Sequence, residues 1–88
     1  MVILKVADRT VGSKMFVCVS LKASGVDVVV EGGAGDPTYR VIKEKLIPAL
    51  MIKGLSDYEA TNLVNRGLSA RGMGIIHLNR GRPVAGIY

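Results

Sequence analysis

Arginine is the side chain through which this chain is best equipped to act, and its placement is uneven. From Thr61 to Tyr88 the only charged side chains are Arg66, Arg71, Arg80 and Arg82, a run of +4 with no carboxylate. The first sixty residues hold eight basic and seven acidic side chains, a net +1. Glycine adjoins every one of these arginines, as Arg66-Gly67, Arg71-Gly72 and Arg80-Gly81-Arg82. A guanidinium offers five donors in a planar fork that suits phosphate and guanine edges. A neighbouring glycine lets the backbone approach a ligand closely. The chemistry implied is the non-covalent capture of a polyanion, with an affinity that falls as salt rises.

Other reactive types are not arranged for catalysis. His77 stands in the apolar run Gly74 to Leu78, with no serine, cysteine or second histidine at a recognisable spacing. Asp27 and Glu31 share a strand face and could pair as acid and base, but the expectation is that they meet solvent or a cation such as Lys5. Cys18, the only cysteine, lies between Val17 and Val19 and reads as a buried apolar thiol. One cysteine forms no internal disulfide and no zinc site. The run Gly32-Gly33-Ala34-Gly35 between a strand and a helix start could cradle phosphate on backbone amides. No Lys-Ser/Thr pair follows it, and Asp36 would repel an anion, so a tight turn capped by Asp36 is expected. Tyr39, Tyr58 and Tyr88 are scattered and form no base-stacking platform. The expectation is a protein that is not an enzyme and needs no metal or cofactor.

The elements that must position the arginines follow from the apolar pattern. Val2 to Ala7 alternates as a strand. Asp8 to Ser13 interrupts it. Lys14 to Ala23 fits either a strand, from Phe16-Val17-Cys18-Val19, or a helix, from Met15, Val19 and Lys22. Val26 to Glu31 reads as a central strand buried on both faces. Asp36-Pro37 opens a helix to about Leu46, and Pro48 stops or kinks it. Ala49 to Ile52 has the look of a strand start. Ser56 and Glu59 have capping-box spacing, which predicts a helix from Asp57 to Asn65 ended by Gly67. Met73 to Leu78 is strand-like, Asn79 to Arg82 a turn, and Pro83 to Tyr88 an edge strand. The fold class expected is α/β: a two-layer sandwich with a mixed sheet of about four strands and two or three helices.

The chain's 88 residues make one domain, residues 1–88, with 49% hydrophobic residues and a mean hydropathy of +0.34. A core this small, without tryptophan and with one phenylalanine, is commonly stabilised by self-association, and a homodimer is expected. No apolar run approaches the roughly 20 residues of a membrane span, and no secretory leader is evident. A cytoplasmic location is the corresponding expectation.

One resemblance bears on the whole. The strand Ile3-Leu4-Lys5-Val6, a linker, an amphipathic segment, Gly25 ahead of a valine-rich strand, a Gly-Ala-Gly turn and a second helix follow an order similar to the family of stage V sporulation protein S. More distantly, that order is similar to the archaeal chromatin protein Alba. The similarity covers about residues 3–47. It implies a dimeric two-layer fold in the order β-α-β-α-β-β. The implied nucleic-acid surface combines the loop before the first helix with a basic hairpin between the last two strands. By position it places Arg9 and Lys14 in that loop and Arg66 and Arg71 in the hairpin. Where the family carries a basic motif, this chain has Glu31 to Asp36, acidic at both ends.

Together these readings predict a small nucleic-acid-binding protein, of DNA or RNA, that holds the phosphate backbone with Arg66, Arg71, Arg80 and Arg82, helped by Arg9 and Lys14. The alternative is an interaction or inhibitory module, of the kind viruses encode, docking its basic surface on an acidic protein, with Met15, Met51 and Met73 as candidate anchors.

Overall fold

A computed structural model describes residues 1–76 of the chain. His77, Arg80, Arg82, the turn expected at Asn79 to Arg82 and the strand expected at Pro83 to Tyr88 lie outside the described residues. Three strands, β1 (Ile3–Val11), β2 (Lys14–Ala23) and β3 (Val26–Glu31), form an antiparallel sheet in the order β1-β2-β3. Gly12 (φ 62°) and Gly25 (φ 76°) make the two tight connections, where the left-handed backbone favours glycine.

The ambiguous segment Lys14 to Ala23 is a strand, and it is the middle one. Val17, Val19 and Leu21 are buried at alternate positions, which is the period of two that a strand requires. Helical spacing of Met15, Val19 and Lys22 is incidental, since Met15 and Lys22 are both exposed. A strand therefore stands where the order β-α-β-α-β-β has its first helix. β1 also outruns its expected end at Ala7, pairing Asp8 with Val17 and Val11 with Lys14. The valine strand β3 is an edge of the described sheet instead of its centre: Val28 is buried, but Val29 points outward and is 62% exposed.

Helices cover one face of the sheet. α1 (Thr38–Val41) runs on through a π-helical stretch, Ile42–Leu46, into α2 (Ile47–Ile52). Pro48 was expected to stop or kink this helix. A proline lacks the donor for, and crowds, the carbonyl four residues back. The wider π turn just ahead of Pro48 accommodates that, as such bulges do. Ala49 to Ile52 is consequently helical and not a strand. Pro37 holds the N-cap position, with no side-chain cap. Asp36 instead turns back and accepts a hydrogen bond from Gly33 N at 2.8 Å.

α3 (Asp57–Ala70) begins with the expected capping box: Ser56 Oγ accepts from Glu59 N at 3.1 Å, and Glu59 Oε1 accepts from Ser56 N at 2.9 Å. It does not end at Gly67. A Cβ at Gly67 would lie 2.7 Å from the Leu4 Cβ, so this glycine lets α3 settle against β1. The helix ends at Gly72 (φ 74°) instead.

Leu4, Val19 and Leu21 from the sheet meet Ile42, Leu46 and Leu50 from the first helical run and Ala60, Val64 and Leu68 from α3. Each buried valine, leucine or isoleucine among them contributes about 1.5–3 kcal/mol. The fold is thus a two-layer α/β arrangement in which the described residues leave one sheet face bare. Among the described residues no helix is long and apolar enough to cross a membrane.

Candidate nucleic-acid interface

Strand alternation decides where the N-terminal cations go. Leu4, Val17, Val19, Leu21 and Val28 face the helices, so their strand neighbours face away. Lys5 and Arg9 on β1 and Lys14 and Lys22 on β2 all project from the bare face. Arg9 is already engaged there. Its Nη2 donates to Glu31 Oε1 at 2.8 Å and its Nε to Glu31 Oε2 at 3.1 Å, while its guanidinium carbon sits 5.6 Å from the Phe16 ring centre. Lys22 stands opposite Asp27 in the register. Two carboxylates thus offset part of the charge on this face. Cys18 lies on the same face and is half-buried, not fully enclosed as expected.

α3 positions the C-terminal cations in the other layer. Its buried residues Ala60, Val64 and Leu68 recur at i, i+4 and i+8. At 100° per residue, Asn62, Arg66 and Ser69 fall within about 60° of one another on the opposite, outward ridge. Together with Asn65 they form one open polar surface along the helix. Arg66 makes no ion pair or hydrogen bond with any described residue. No carboxylate occurs between Ala60 and Ile76. Arg71, at the helix C-cap, donates through Nη1 to the Leu4 carbonyl at 3.3 Å, which leaves most of its donors without a partner among the described residues.

The structure therefore does not gather Arg9, Lys14, Arg66 and Arg71 into one patch. Arg71 meets β1 at Leu4, and Arg9 lies five residues further along, roughly 17 Å away at strand rise. Arg9 and Lys14 occupy the bare sheet face, and Arg66 the helical face. Arg66 and Arg71 lie on and just after α3, in place of the long hairpin expected around them. Two groups escaped the sequence reading. Lys5 and Lys22 join Arg9 and Lys14 once Lys14 to Ala23 is recognised as a strand. Asn62 and Ser69 join Arg66 through the spacing i, i+4, i+7.

The glycine loop before α1 is not a phosphate cradle. Gly32 N donates to Val17 O at 2.8 Å, Gly35 N to Met15 O at 3.2 Å and Asp36 N to Gly33 O at 3.1 Å, and Gly33 N is held by Asp36. Those amides have no capacity left for an anion. Asp27 and Glu31 share the bare face as expected, but Glu31 is committed to Arg9. Among the described residues no group of three or more His, Cys, Asp or Glu side chains is placed to hold a metal ion.

Comparison with known proteins gives no relative: the chain matches no protein-family model, no curated protein and no solved structure.

Proposed function

We propose that this protein binds nucleic acid and holds its phosphate backbone through the outward ridge of α3 and the arginines that follow it. One observation carries the reading: Arg66 projects from the middle of that ridge without a partner among the described residues, in a stretch free of carboxylates. Arg71 extends the cationic line, and Arg80 and Arg82 follow in sequence. Lys14 adds a more distant contact. Arg9 contributes only by exchanging Glu31 for phosphate. The expected fourth strand, Pro83 to Tyr88, is retained as part of the same proposal.

Fluorescence anisotropy with random-sequence duplex DNA and with RNA, each at two salt concentrations, tests this. Sequence-blind binding that weakens steeply with salt supports it. Absence of binding at low salt overturns it.

The reading as a protein-docking module finds some support in methionine exposure, with Met15, Met51 and Met73 at 57%, 44% and 39%. These three come from three separate parts of the chain, β2, α2 and the segment after α3, and not from one continuous ridge. A second copy of the chain is the proposed occupant of the end of that sheet face where Ile3 and Val29 are exposed and Lys22 stands opposite Asp27, away from the β1–β2 connection that carries Arg9 and Lys14. Sedimentation equilibrium distinguishes monomer from dimer.

A further inference from the structure

We infer that α3 also reads base edges in the major groove of duplex DNA, with Asn62, Arg66 and Ser69 as the reading side chains. The inference rests on the nucleic-acid reading above and adds a substrate class and a specificity to it.

Three observations converge. First, the ridge lies opposite the core stripe of α3, so these side chains are the part of the helix furthest from the body of the fold. Fourteen residues of helix span about 21 Å, a length that a major groove about 12 Å wide can admit. Second, the residue types match purine edges. Arginine pairs with the O6 and N7 of guanine, asparagine with the N6 and N7 of adenine, and serine with either kind of group. Third, no described residue engages these groups. Asn65, their neighbour on the helix, commits its amide to Ile76, whereas Asn62, Arg66 and Ser69 make no side-chain hydrogen bond with the described residues.

The two ends of the helix fix its orientation. Asp57 and Glu59 occupy the first turn, and Glu59 is folded back onto Ser56. Those carboxylates would repel phosphate, so the part of α3 from Asn62 onward enters the groove, with Arg71 at its end reaching the backbone. Duplex RNA does not satisfy the same geometry. Its major groove is too deep and narrow for side chains to read. B-form DNA is therefore the ligand.

The test is selection of bound duplexes from a randomised DNA library, followed by affinity measurement on the enriched and a scrambled site. The expected result is an enriched short motif containing guanine and adenine. Asn62→Ala and Arg66→Lys should each reduce discrimination between the two sites by about tenfold. Lys22→Ala, on the other face, should leave discrimination unchanged. Salt-dependent binding without any enriched motif would overturn base reading and leave phosphate binding intact. So would an enriched motif whose discrimination survives both ridge substitutions. No binding to any duplex would overturn both readings together.

Discussion

Asn65 and Ile76 are joined in both directions: Asn65 Nδ2 donates to the Ile76 carbonyl at 2.9 Å, and Asn65 Oδ1 accepts from the Ile76 amide at 2.7 Å. A side-chain amide thereby supplies what the peptide of a neighbouring strand would supply. The pairing also explains why Met73 to Ile76, which has strand composition, is not part of a strand: the backbone of Ile76 is satisfied by a helix residue. Ile76 itself is buried in the core. The turn of α3 that presents Arg66 outward therefore also holds the chain at Ile76.

Replacing Asn65 by alanine leaves a backbone donor and a backbone acceptor without partners. Asn65→Ala should destabilise the fold by about 1–3 kcal/mol in urea denaturation. A change within error of zero would show that the pairing contributes nothing.

Gly67→Ala separates packing from propensity. In an exposed helix this change would stabilise by about 1 kcal/mol. Here the added methyl meets the Leu4 Cβ, which cannot swing aside because it is bonded directly to the β1 backbone. Overpacking of this kind costs about 1–3 kcal/mol, so the net change should be destabilising. A melting temperature above that of the parent would refute the close approach of α3 to β1.

The capping box should leave a pH signature. Hydrogen bonds from the Ser56 backbone, and secondarily its side chain, hold the Glu59 carboxyl below the usual glutamate range. The folded state therefore favours the ionised form. Its contribution is complete above the ordinary glutamate pKa and is lost as pH falls through that value towards the lower folded one. Denaturation midpoints taken from about pH 7 to about pH 3 should fall less steeply for Glu59→Gln than for the parent. Identical slopes would remove the box from the stability of α3. Ser56→Ala should cost about 1 kcal/mol at neutral pH.

The face that binds can be told from the face that does not. Arg66→Glu and Lys22→Glu change net charge equally but lie in opposite layers. The account predicts that Arg66→Glu lowers affinity for duplex DNA by at least about tenfold more than Lys22→Glu, because only the former puts an anion in the contact. Equal losses would mean that overall charge, and not α3, governs binding.

Much of this was legible in the residues. The Ser56–Glu59 spacing announced the start of α3, and alternation at Val2, Leu4 and Val6 announced β1. The tertiary choices were not. Gly67 looks like a terminator from its neighbours alone, and only the approach of Leu4 shows it to be a packing residue. Lys14 to Ala23 supports two periods locally, and the tie is broken by strands on both sides that use the alternate set. Pro48 reads as a helix break because a π turn, which absorbs it, has no short-range signal. The arginines were visible, but whether they share a face depends on those same choices. That is why Arg9 and Arg66 were grouped in sequence and lie apart in space.

The central claim is that Arg66 meets phosphate or base in a polyelectrolyte complex. Its most direct test is the salt dependence of affinity for random duplex DNA, measured for the parent and for Arg66→Ala. The account predicts a linear fall of log affinity with log salt, and a slope shallower by about one in the variant. A parent that shows no such fall, or a variant whose slope and affinity equal the parent's, would contradict it.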